Sequence, residues 1–173
     1  MDERYPIGTF IYDKATADAL VSKWIEEIEM LPQKLEQAVR NLSEEQLDTP
    51  YRKGGWTVRQ VVHHLADSHI NAYTRFKLAI TEETPVIKPY EEGLWANLAD
   101  YEEPIELSIK LLASLHIRLA ALLRSLKETE LNRVFVHPDS GQVSVKENIG
   151  IYAWHGNHHL AHIASLCEKK GWL

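Results

Sequence analysis

The stretch WHGNHHLAHI, Trp154 to Ile163, holds four of the nine histidines in the chain, and HHLADSH, His63 to His69, holds three more. Imidazole is the side chain that titrates nearest neutral pH and the one most often found on a metal. Two ligands on one helix must stand about a turn apart, so spacing of i, i+4 is the first thing to look for. The cluster at residues 154–163, second along the chain, offers two such pairs, His155 with His159 and His158 with His162.

Direction separates these pairs. The apolar face of this segment runs through Ile149, Tyr152, Ala153, Gly156, Leu160, Ile163 and Cys167. At about 100° per residue, His158 points almost opposite the centre of that face and His162 lies well round the back. Both are expected in solvent. His155 and His159 lie on its flank, and Gly156 between them lets another helix approach. Periodicity therefore favours His155 and His159 as the inward pair. In the first cluster His69 falls mid-face, while His63 and His64 flank it on opposite sides, and periodicity does not choose between those two. His69 and His116 occupy seam positions where a hydrogen-bonded core histidine is the default expectation.

The elements that must position these residues are helices. Apolar residues alternate in steps of four and three through Ala17, Val21, Trp24, Ile28, Leu31, Leu35, Ala38 and Leu42, passing Pro32 in phase. That predicts one helix kinked at Pro32, or two stacked pieces. Ile105, Ile109, Leu112, His116, Leu119, Leu123 and Leu126 repeat the alternation, with Pro104 in the first turn. Between these two, WTVRQV predicts a helix start with Thr57 and Gln60 as a capping box, and SVKE does the same with Ser144 and Glu147. The last helix is expected to stop near Lys170, at Gly171.

RVFVHPDSGQVSV reads as a short hairpin before the fourth helix, with His137 in its turn facing water. Residues 81–104 form a long connection containing Tyr90 and Trp95, expected as an ordered cover over the bundle. NLSEEQLDTPY before WTVRQVVHHL echoes SLKETELNRVF before VSVKENIGIYAWHGNHH, which suggests two related helix pairs. The expectation is an all-α, single-domain four-helix bundle over residues 1–173.

Composition narrows the function classes. A formal charge of −6 and no basic stripe argue against nucleic acid as partner. The most apolar run, LLASLHIRLAALL, is interrupted by His116 and Arg118 and is too short to span a bilayer. A single cysteine, Cys167, and an N-terminus without an apolar run fit a cytoplasmic protein.

GGWTVRQVVHHLADSH together with the later HGNHH resembles the DinB/YfiT-like superfamily of metal-binding four-helix bundles, over essentially the whole chain. The resemblance implies an up-down-down-up bundle and a homodimer. Its pattern places one ligand at the histidine before Leu in HHL and two more four residues apart on the last helix. Carried over, these are His64, His155 and His159, holding one divalent metal per chain, zinc first and nickel as an alternative. In many relatives the position three after the last ligand is Gln, and here it is His162. His63, His116 and His162 are candidates to orient a ligand through a hydrogen bond. The resemblance further implies a metal-dependent hydrolase, or a thiol S-transferase using a thiol cofactor such as bacillithiol, acting on a small-molecule substrate. A metal-binding module without turnover is the third reading. No HExxH glutamate stands beside the ligands as a general base, which weakens a peptidase-like mechanism and slightly favours thiol transfer on chemical grounds; the catalytic group is unassigned by the sequence.

Overall fold

The computed structural model describes residues 2–172. Four long helices carry it: α1 (Lys14–Val39), α3 (Val58–Thr81), α5 (Ile105–Ser125) and α7 (Val145–Lys170). Short helices α2 (Glu44–Leu47), α4 (Glu92–Trp95) and α6 (Glu128–Leu131) lie in the connections. Strands β1 (Val134–His137) and β2 (Gly141–Ser144) pair antiparallel as the expected hairpin.

The local signals act largely as read. Thr57 and Gln60 exchange both bonds of a capping box. At Ser144 only half of the expected box forms: its Oγ accepts from the Glu147 N–H, and the return bond to the Glu147 side chain is not made. Gly171 ends α7 in the left-handed region at φ 66°, where a side chain would be strained. Helix α1 runs unbroken through Pro32, so the first seam is one helix rather than two pieces. Pro104 stands one residue earlier than expected, as the N-cap of α5.

Neighbouring side chains give the directions of the helices. Leu31 meets Gly156, and Trp24 meets Gly150, so α1 and α7 run parallel. His63 reaches Ser108 and His69 reaches His116, so α3 and α5 are parallel too. Arg75 reaches Tyr152 while His64 reaches His155, which makes α3 and α7 antiparallel. The order is up-down-down-up. Two consecutive parallel helices demand a crossover the length of the bundle, and residues 82–104 supply it. That crossover is ordered: Ile87 donates to Val136 O, Val136 donates to Pro85 O, and Gln60 Nε2 donates to Ala96 O.

The echo between the halves is physical. Each long second helix is preceded by a short acidic helix that pairs with a cation near its start. Arg59 bonds Glu44 and Asp48, and Lys146 bonds Glu128 and Asp18.

The apolar core falls into two slabs. One holds Ile25, Ile28, Phe76, Leu119, Leu123 and Ile149, and the other Leu35, Val62, Leu65, Leu112, Ile163 and Leu166. On α3, α5 and α7 alike, the residues between the slabs are histidines: His69, His116, and His155 with His159. A layer of imidazoles thus crosses the waist of the bundle. Burying each large apolar residue contributes about 1.5–3 kcal/mol, so this polar layer is held in place from both ends.

Candidate metal centre

His64 from α3 and His155 and His159 from α7 meet at the waist, each offering one ligand atom within 4.8 Å of the others. The Nε2 atoms of His64 and His155 stand 3.2 Å apart. Gly156 lets α1 close over them, since a Cβ there would lie 2.7 Å from Leu31 Cδ2. Trp56 lies over His64 at 4.5 Å between ring centroids, so this side chain, one residue before the N-cap Thr57, walls the cluster.

Burial sets the charge of the cluster. It pushes His64 down to about 4 and His155 and His159 well below the ordinary histidine value, with neighbouring imidazoles adding to the shift in the latter two. All three are therefore neutral at pH 7 and have a lone pair to offer. Two bare imidazole nitrogens at 3.2 Å repel unless a proton or a cation stands between them. The donor set fits a divalent metal that accepts nitrogen ligands, with coordination positions left over.

The other histidines fall into distinct places. His69 is the buried, hydrogen-bonded core residue expected, and it also touches a cluster member from behind: its Nε2 is 3.2 Å from His155 Nδ1. His116 reaches the cluster only through His69, at 2.9 Å, and its Nδ1 is 2.5 Å from Ile28 O. His63 is buried, with Nδ1 on Ser108 Oγ and Nε2 donating to Glu103 O, so it anchors the crossover rather than a ligand.

His158 and His162, expected in solvent, are 8% and 3% exposed. The reason is the N-terminal segment, which runs along the far side of α7. His162 Nε2 donates to Arg4 O and its ring stacks on Tyr51; His158 packs between Trp154 and Tyr5. A face calculation assumes one apolar neighbour, and α7 has neighbours on both sides. His162 also lies beside His159, with their Nδ1 atoms 3.4 Å apart. His137 is half-buried rather than free in water, near Asp139.

The residue that sequence reasoning missed is Glu92. The crossover brings its carboxylate 3.7 Å from His64 Nε2. Its side chain is 56% exposed, yet the wall it lies against desolvates the carboxyl and raises its pKa. A cavity of about 230 Å³ opens here, lined by Ser68, Arg75, Tyr90, Glu92, Tyr152 and His155 among others. A larger hollow, about 450 Å³, lies between α1, α5 and α6, but the Asp18–Lys146–Glu128 ion pairs fill its polar wall and it has no histidine. The smaller cavity is the one with chemistry. Nothing in the local sequence around Glu92 marks it, because only the crossover's path sets it beside His64.

A four-helix bundle whose waist gathers three neutral histidines beside an open cavity defines a class of metal-binding bundle. The chain belongs to the DinB superfamily, whose sequence profile matches residues 27–163. It is 60% identical over 172 residues to a protein of Oceanobacillus iheyensis named "Putative metal-dependent hydrolase", covering 99% of this chain and 100% of that one. A Bacillus mycoides protein named in the same way is 54% identical over 171 residues, covering 99% of each chain. Among solved structures, it superimposes at TM-score 0.96 and 47% identity, over the whole of both chains, on YfiT from Bacillus subtilis, described as "a probable metal-dependent hydrolase with an unusual four-helix bundle topology". TT2238, a four-helix bundle protein, is 16% identical at TM-score 0.56, covers 81% of this chain and 94% of its own, and shares the fold alone. Among the described residues no helix is long and apolar enough to cross a membrane.

Proposed function

We propose that this protein is a metal-dependent hydrolase of small molecules in which His64, His155 and His159 hold one divalent cation, zinc before nickel. The observation that carries this reading is Glu92, a carboxylate 3.7 Å from His64 Nε2 in the wall of the cavity that also reaches His155. Zinc held by neutral imidazoles supplies Lewis acidity at neutral pH. The chain supplies the rest. Glu92 takes a proton from the attacking water, the water oxygen joins the acyl carbon, and the leaving group departs with the proton that Glu92 returns. The raised pKa of Glu92 brings it closer to neutrality, which suits a group that must both accept and return a proton. Arg75, whose guanidinium donates to Tyr152 Oη at 3.3 Å, presents its remaining N–H groups to a polar end of the substrate. Trp56 shields the ligand side from bulk water.

Hydrolysis is preferred over thiol transfer because a thiolate attack has no need of a carboxylate at this point. The proposal includes a cytoplasmic setting and a homodimer, which rest on the acidic charge, the lone cysteine and the family resemblance.

The test is a panel of simple esters and amides turned over by zinc-loaded protein, with and without added thiol, beside Glu92→Gln. Turnover without thiol is expected, falling by about 10²–10⁴ in Glu92→Gln, while zinc content stays at the wild-type level. Unchanged turnover in Glu92→Gln removes Glu92 from the chemistry. Consumption of an electrophile only when bacillithiol is present replaces hydrolysis with thiol transfer.

A further inference from the structure

Two lines of histidines lead away from the metal cluster, and each ends on a backbone carbonyl. A carbonyl oxygen only accepts hydrogen bonds, so it sets a direction that passes from ring to ring.

The first line starts at Ile28 O, 2.5 Å from His116 Nδ1, which must carry a proton. His116 is 1% exposed and His69 0%, and neither bonds a carboxylate, so a charged ring here would be a buried, unpaired cation. Each ring therefore has one N–H. His116 Nε2 is bare, so His69 Nδ1, 2.9 Å away, must donate to it. That leaves His69 Nε2 bare, and His155 Nδ1, 3.2 Å away, must donate in turn. His155 is left with its Nε2 lone pair aimed at His64.

The second line is shorter. Arg4 O accepts from His162 Nε2 at 3.2 Å, leaving His162 Nδ1 bare. His159 Nδ1 stands 3.4 Å from it and must donate, so His159 keeps Nε2 free. The two lines come from different elements, α5 with α3 in one case and the N-terminal segment in the other. They arrive at the same result.

We infer that His69 and His162 are positioning residues. Each is backed by a main-chain carbonyl, of Ile28 through His116 and of Arg4 directly, and together they lock His155 and His159 as Nδ1–H tautomers with Nε2 presented to a cation. Without such partners a free histidine in water favours the opposite tautomer, with its proton on Nε2. The site is thus arranged for a metal before any metal arrives. This rests on the metal-site reading above, and the experiment separates the two.

The decisive measurement needs no variant. Long-range ¹H–¹⁵N correlation spectra of metal-free, ¹⁵N-labelled protein at neutral pH report the tautomer of each ring. Nδ1–H is expected for His69, His116, His155 and His159, and Nε2–H for His162. Finding His155 or His159 protonated on Nε2 overturns the inference. Zinc affinity by chelator competition then measures what the lines contribute. His69→Leu and His162→Leu, which remove the acceptor, should weaken zinc binding by about 10–100-fold and free the ligand ring to change tautomer. His69→Gln and His162→Gln supply an amide oxygen to accept and an N–H to donate, and should restore affinity to within about threefold of wild type. Leucine variants that bind zinc like wild type overturn the positioning role. Expected tautomers in a wild type that binds no zinc would uphold the lines and overturn the metal-site reading.

Discussion

Helices α3 and α7 both bring histidines to the waist of the bundle, but they hold them differently. The two cluster members on α7 each have a hydrogen-bond partner behind them, His69 for His155 and His162 for His159. His64 on α3 has none: its Nδ1 is buried without a partner among the described residues. What holds His64 is contact, with Trp56 over the ring and the second apolar slab around it. A hydrogen bond fixes both ring angle and tautomer, whereas packing fixes angle alone. On the proposed metal-site reading, the α7 pair is therefore a rigid half-site, and His64 is the adjustable ligand that would complete it. Glu92 approaches the cluster on the adjustable side.

Removing ligands should give the largest effects and test that asymmetry. His155→Ala and His159→Ala are expected to lower zinc affinity by far more than the roughly 100-fold ceiling for losing a hydrogen-bonded partner. His64→Ala should keep weak, measurable binding on the intact α7 pair. Calorimetric titration that ranks His64→Ala as the most damaging of the three would reverse the comparison.

Acid should come next. His64 and His116 are both pushed down to about 4 by burial, while an unfolded histidine titrates near 6.5. Between those values the unfolded chain binds protons that the native state does not. The stability of the metal-free protein should therefore be complete above pH 6.5 and fall as the pH drops toward 4. The loss is on the order of 3 kcal/mol per histidine at most. Urea midpoints measured across this window check it, and a flat profile would mean that these rings are protonated in the fold. Bound zinc competes with protons for His64 and should move the decline to lower pH.

The smallest effect on metal is expected for His158→Ala. His158 sits on the far side of α7 between Trp154 and Tyr5, and its Nδ1 is also buried without a partner among the described residues. Its loss should leave zinc affinity within about threefold of wild type and cost roughly 1–3 kcal/mol of stability, from packing alone. Equal zinc loss in His158→Ala and His155→Ala would break the distinction between the two sides of α7.

Much of this was written in local sequence, because local interactions determine it. The cap at Thr57, the stop at Gly171 and the hairpin at residues 134–144 depend on neighbours within a few positions. The seams of α1 and α5 follow from helical periodicity, and so does the pairing of His155 with His159 across one turn. The choice of His64 over His63 came from family resemblance rather than from periodicity, since both flank the same face.

What tertiary structure alone decided depends on contacts between segments distant in the chain. The burial of His158 and His162 follows from residues 4–10 crossing the back of α7, which no period along α7 can register. The rank of His69 above His116 as the neighbour of His155 depends on which helix faces which in an up-down-down-up order. Glu92 owes its place to the path of a 23-residue crossover, which the parallel run of α3 and α5 requires. Sequence could specify which residue types lie at which angle on each helix. It could not specify what stands opposite them, because that depends on how four helices share one core.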